Sequence, residues 1–251
     1  MRDEALPQQV VITGGPTLAG SAAPVGLTWG PVKLVIDDGA YPSLDALSDD
    51  IRTAHRHGRS VAVHCVTRTA LALALAAWDD AGARPGDRVE HGAVVPPELH
   101  PQLRRHRLTV VTQPGFVGER GDEYRREVDP DDLPHLYPCR SLIEAGIPVG
   151  GSTDAPYTEP DPWRAVAAAT TRRTPSGDVL GPHETVPARR ALDLFLTDPH
   201  DPGGPPRRVA AGAPADLCLL ATPLEVALEV APAEAVQVAC TIRRGRIIWR
   251  S

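Results

Sequence analysis

The stretch SVAVHCVTRTALALALAAWDDAGARPGDRVEHGAV, residues 60–94, decides how this chain folds. A short apolar run, SVAVHC (60–65), is followed by TRTALALALAAWDDAG (67–82), where apolar residues recur at i, i+3 and i+4. RVEHG (88–92) then follows. The first and last read as strands and the middle as a helix stopped by Gly82. Each strand is closed by a histidine, His64 and His91. A lone histidine after a strand is as readily a structural residue as a ligand. Two of them on successive parallel strands stand at the same end of a sheet, where ligands and catalytic groups collect.

The same alternation extends outward. Further strands are expected at QVVITG (9–14), VKLVI (32–36), LTVVTQ (108–113) and IPVGGS (147–152). Helices are expected at 43–58, with Ser43 as N-cap and Gly58 as stop, and at 96–106. Near-continuous apolar strands with helical crossovers imply a parallel sheet covered on both faces. A β/α barrel and a doubly wound open sheet both satisfy this. ITGGPTLAG (12–20) only loosely approximates the glycine turn of a dinucleotide fold, which argues against a nucleotide-binding sheet. After about residue 205 the chain changes character. APADLCLLA and VQVACTIRRGRIIWR read as two or three antiparallel strands beside the main domain.

At 251 residues, 42% hydrophobic and 23% charged, the chain is long enough to bury a core in one large α/β domain or two small ones. A net charge of -6 argues against a nucleic-acid partner, and RRHR (104–107) and TIRRGR (241–246) read as solvated faces. Four cysteines, at 65, 139, 218 and 240, form no C-x-x-C pair and suit reduced thiols in a cytoplasmic protein. MRDEALPQQVVITGG has no cationic start leading into an apolar run, so no signal peptide is expected. No apolar run approaches the length that spans a bilayer, so no membrane partner is expected.

A third polar residue joins the two histidines. Asp154 follows the strand 147–152, so His64, His91 and Asp154 are all expected at one rim. Neutral imidazole and carboxylate are the ligands that zinc and related divalent ions prefer.

In order along the chain, GPVKLVIDDG, VAVHC, RVEHGAV and GSTDAP resemble the amidohydrolase superfamily. The nearest branch is amidohydrolase family 3, with its D-aminoacylase-like and formamide-deformylase-like members. GAPADLCLLA and VACTIRRGRIIW resemble the strands that return to a small β-sandwich in that family. The resemblance implies an incomplete TIM-like (β/α) barrel of about six parallel strands over 1–207, with a C-terminal β appendage over 208–251. It implies His64 and His91 as metal ligands from the fifth and sixth barrel strands, and Asp154 as the eighth-strand ligand that also handles the proton of the attacking water. Lys33 matches the fourth-strand lysine, carboxylated in many relatives. It stands near the start of the strand 32–36, so a structural lysine, or Asp37 or Asp38 in its place, remains open. Gln113 and the loop GFVGERGDEYRREVDP (115–130) are expected to shape the pocket for a small-molecule substrate.

The activity implied is hydrolysis of amide-like, non-peptide carbon–nitrogen bonds through a water activated by one or two divalent ions, zinc in the first instance. The family's H-x-H pair on its first barrel strand has no counterpart. His55-Arg56-His57 ends the helix 43–58 and reads as a solvated helix end beside the negative dipole. The six strands correspond to the third to eighth of the family barrel. Such a sheet presents unpaired edges, which proteins cover. Either the chain is a shortened form, or it closes against a second copy or another partner. Weak metal binding and low activity of the chain alone are therefore expected. The alternative is a catalytically inactive amidohydrolase-like protein serving as a binding or assembly module.

Overall fold

A computed structural model of the chain describes residues 8–231 and 235–251. The first seven residues of the stretch read for a signal peptide lie outside them. Six strands form one sheet in sequence order: β1 (Val11–Gly14), β2 (Thr28–Val35), β3 (Val61–Cys65), β4 (Arg88–His91), β5 (Thr109–Thr112) and β6 (Val149–Gly151). Every neighbouring pair is parallel. The sheet is curved as a half-barrel, as expected. At one edge the Gly151 amide donates to the Leu194 carbonyl. At the other, β1 has no further neighbour among the described residues.

Helices α1 (Leu44–Arg56), α2 (Arg68–Ala81), α3 (His100–Arg105), α4 (Gly115–Glu127), α5 (Arg140–Glu144), α6 (Pro162–Thr171) and α7 (Ala188–Asp193) lie between and after the strands. Their starts and stops are chemical. Ser43 Oγ accepts the Ala46 amide before α1, and Thr67 Oγ1 accepts the Ala70 amide before α2. Gly58 and Gly82 leave both helices at positive φ, 72° and 78°. The expected helix 96–106 divides into a 3-10 turn, Pro97–Leu99, and α3.

Side chains alternate across the strands. Val32, Leu34, Ile36, Val61, Val63, Cys65, Val89 and Val110 enter the main core against the helices, with Leu71, Leu75 and Trp78. The opposite set includes Lys33, Val35 and His64, which face a cavity. Beyond an irregular stretch at 205–216 come β7 (Leu217–Leu220), α8 (Leu224–Val230), β8 (Val238–Arg243) and β9 (Arg246–Arg250). The three strands form a separate antiparallel sheet, while Ala227 and Ala231 join the main core.

Two expectations are corrected. The segment 115–130 is not a loop, because most of it is α4. Its glycines suggest a loop, yet they are the surface on which α6 and the residues after it pack. A Cβ at Gly121 would come within 2.6 Å of Thr174 Cγ2, and one at Gly118 within 3.5 Å of Ala168 Cβ. The second correction concerns His55, which is not a solvated helix end. It is 6% exposed and its Nε2 lies 3.0 Å from Asp87 Oδ2. Asp87, 1% exposed just before β4, also accepts the Val61 amide, the Trp78 indole N–H and the Arg84 amide.

Asp87 therefore ties α1, α2, β3 and β4 together. Asp87→Ala would leave those buried donors unpaired, which costs about 3–5 kcal/mol. Urea unfolding is expected to show a lower midpoint with little change in slope.

Candidate metal centre

The carboxyl ends of the strands deliver the polar residues to one rim. His64 is the fourth residue of β3, His91 the last of β4, and Asp154 lies three residues beyond β6. Register sets their relation: Val35 pairs with His64, and Cys65 with His91. Lys33 lies late in β2, which begins four residues earlier than the sequence suggests, and it faces the same space. Asp37 and Asp38 do not line it. Asp37 Oδ1 accepts the Gly39 amide in a tight turn, and Asp38 Oδ1 accepts the Tyr41 and Thr67 hydroxyls.

Lys33, His64, His91 and Asp154 line a cavity of about 850 Å³. The two imidazole rings meet edge to face, with centroids 4.4 Å apart and an interplanar angle of 71°. His91 Nδ1 stands 4.0 Å from Asp154 Oδ2. Two of these residues hold left-handed backbone, His91 at φ 69° and Asp154 at φ 57°. Such conformations cost roughly 1–3 kcal/mol each for a residue with a side chain and concentrate at functional sites. Gly92, also at positive φ, lets the chain turn after His91 where a Cβ would come within 2.7 Å of Val110 Cγ1.

Burial sets the charge states. It pushes the His64 imidazole down from 6.5 to about 4, with the nearby His91 and Lys33 charges adding to the effect. Burial also lowers His91, and Lys33 adds to that shift. Both rings are thus neutral at pH 7, the form that binds metal. Burial raises the Asp154 carboxyl, against the pull of Lys33 and His64, and burial lowers the Lys33 ammonium.

The donors are of the right kind for a zinc-like ion, two neutral imidazoles and a carboxylate. They do not close around one point. Among the described residues, no group of three or more His, Cys, Asp or Glu side chains is placed to hold an ion.

Gln113 does not line the cavity. It is 1% exposed, one residue past β5, and its amide is spent on His91, Val111 and Ser152. The wall is instead aromatic, built from Phe116, Tyr124 and Tyr137 with Val66, Val94 and Leu136. Phe116 stacks on Tyr137 at 5.3 Å, and Arg120 lies over Phe116. Phe116, Arg120 and Tyr124 are spaced by four, so the helical face that forms this wall is written in the segment 115–127. Tyr137 carries no such signal.

The cavity lies within a region that matches known proteins. The model of the Amidohydrolase family matches residues 27–249. The N-substituted formamide deformylase of Arthrobacter pascens is 25% identical over 204 residues, 71% of this chain and 37% of that protein. An uncharacterized metal-dependent hydrolase from Pyrococcus furiosus is 23% identical with TM-score 0.63, covering 76% of this chain and 45% of that chain. A zinc-complexed atrazine chlorohydrolase variant from Arthrobacter aurescens TC1 shares the fold at 13% identity, with TM-score 0.60, covering 91% of this chain and 52% of that chain. The chain thus spans well under two thirds of the length of these relatives.

The shift at His64 has a consequence for stability. The unfolded ring takes up its proton near pH 6.5 and the folded ring only near 4. The stability linked to the neutral ring is complete above 6.5 and is lost as pH falls through about 4. In metal-free protein, His64→Asn is expected to flatten the fall in Tm across that window, as read by scanning calorimetry.

Proposed function

The chain belongs to the amidohydrolase family, and on that footing we propose that it hydrolyses amide-like, non-peptide carbon–nitrogen bonds of small molecules through a metal-activated water. The observation that carries this reading is the meeting of two neutral imidazoles beside a carboxyl at the rim of a parallel sheet. The donors offered for the ion are His64, His91 and Asp154, with Lys33 alongside, and they would have to draw closer together than they stand here to hold it. A bound divalent ion, zinc in the first instance, lowers the pKa of a water toward neutrality and polarises the carbonyl under attack.

The remaining roles fall to the chain. Asp154, its carboxyl raised by burial, takes the proton of the attacking water and passes it to the leaving nitrogen. The apolar wall of Phe116, Tyr124 and Tyr137 holds the substituent of the substrate and excludes water from it. Four unpaired cysteines support a reducing compartment, the cytoplasm.

A second reading rests on a specific observation, the lack of a closed ligand group among the described residues. In it the chain is an inactive relative that keeps the cavity as a binding site, with a partner or second copy on the open β1 edge.

Zinc analysis after dialysis and turnover of a panel of N-formyl and N-acyl compounds separate the two. The expected outcome is weak zinc binding that His64→Asn and His91→Asn abolish, and slow hydrolysis that Asp154→Asn lowers roughly a hundred- to ten-thousand-fold. A wild-type chain that holds no zinc and turns over nothing on the panel would establish the second reading.

A further inference from the structure

We infer that Gln113 fixes the hydrogen pattern of the His91 ring, placing the hydrogen on Nδ1 and leaving Nε2 as the bare nitrogen. The argument follows a chain of hydrogen bonds with one acceptor-only group at its root. The Gln113 amide nitrogen lies 3.0 Å from the Val111 carbonyl oxygen and 2.9 Å from Ser152 Oγ. A backbone carbonyl has no hydrogen to give, so only the NH2 side of the amide can face Val111. The amide oxygen is therefore the atom turned toward His91, with Oε1 2.9 Å from Nδ1. That oxygen also only accepts, so Nδ1 must donate.

In a neutral imidazole one nitrogen donates and the other carries the lone pair. With Nδ1 committed, Nε2 is the single nitrogen of this cavity-lining ring able to accept a proton or bind an electrophile. The opposite tautomer would set two lone pairs against each other at a residue pair 8% and 1% exposed, where water cannot repair the loss. Asp154 Oδ2 does not compete, since 4.0 Å is beyond hydrogen-bond reach of Nδ1. Gln113 is thus a positioning residue that spans three strands, joining β5 to His91 of β4 and to Ser152 just past β6. The use of the bare Nε2 rests on the proposed metal-site reading, whereas the hydrogen pattern follows from the contacts alone.

Histidine-specific nitrogen-15 NMR on the metal-free 251-residue chain, at mildly alkaline pH, tests this directly. The His91 signals are assigned by their disappearance in His91→Asn. The wild-type ring is expected to show a protonated Nδ1 and a bare Nε2. Gln113→Leu removes the acceptor and is expected to release the ring to the Nε2–H form that an unconstrained histidine side chain prefers. Gln113→Glu, protonated on the oxygen that faces the Val111 carbonyl, keeps an acceptor oxygen toward Nδ1 and is expected to show the wild-type pattern. A protonated Nε2 in the wild-type chain, or an unchanged pattern in folded Gln113→Leu, would overturn the inference. If Gln113→Leu does not fold, the wild-type and Gln113→Glu spectra decide. Zinc titration of the same samples is expected to show about 10–100-fold weaker binding in Gln113→Leu. Absence of zinc binding from every form would count against the metal-site reading and leave the NMR result to judge the ring.

Discussion

A parallel sheet sends successive side chains to opposite faces, and in this chain the two faces meet different surroundings. Val32, Leu34, Val61, Val63 and Val89 go to the helix-covered core. The set between them forms rows across the sheet, Lys33 beside Ala62 beside Arg88, and Val35 beside His64 beside Glu90 beside Val111. A register slip of one residue would carry Lys33 and His64 into the core and strand valines in the cavity. Enclosing Lys33 of β2 and His64 of β3 among apolar side chains would leave their polar groups without water or partners, so the apolar pattern holds the chemistry in place. The Arg88–Glu90 pair, at 2.6 Å and largely shielded, shows how charge on the inner row is tolerated by pairing.

The cavity wall opposite the rim depends on two buried charges outside it. Arg172 is fully buried and donates to the carbonyls of Leu136, Tyr137 and Leu180. Glu184, 1% exposed, accepts the amides of Cys139 and Ser141. Between them these two side chains help fix the 136–141 segment, which among the described residues pairs with extended backbone at the isolated Val94–Leu136 bridge. Tyr137 sits there at φ 42° and Arg172 itself at φ 55°. The strained Tyr137 of the cavity wall is therefore held by the Arg172 hydrogen bond to its own backbone carbonyl, which a loosely packed loop could not supply.

The sheet was legible in the sequence because periodicity reports burial directly. The six strands, the caps at Ser43, Gly58 and Gly82, and the rim positions of His64, His91 and Asp154 all follow from local pattern. What the pattern could not show depends on partners distant in sequence. His55 looks solvent-exposed until Asp87 is brought to it by the β3–β4 pairing. Gln113 at a strand end looks like a pocket residue until its amide is seen to be consumed by neighbours on three strands. The helix α4 was hidden because its glycines answer to α6, a helix further along the chain. Nothing local to Arg172 or Glu184 announces that a charged side chain will be enclosed.

The glycine seam between α4 and α6 also bears on how the cavity can change. Phe116, Arg120 and Tyr124 stand on the cavity side of α4, while Gly118 and Gly121 stand on the side where Ala168 and Thr174 press close. Backbones that approach so nearly leave little slack, so the aromatic wall and α6 behave as one stiff plate. The width of the cavity is then set from behind, by the thickness of residues that no ligand touches. Lineages that diverge in what they accept could adjust the fit by single methyl groups along that seam, leaving every residue of the wall itself as it is.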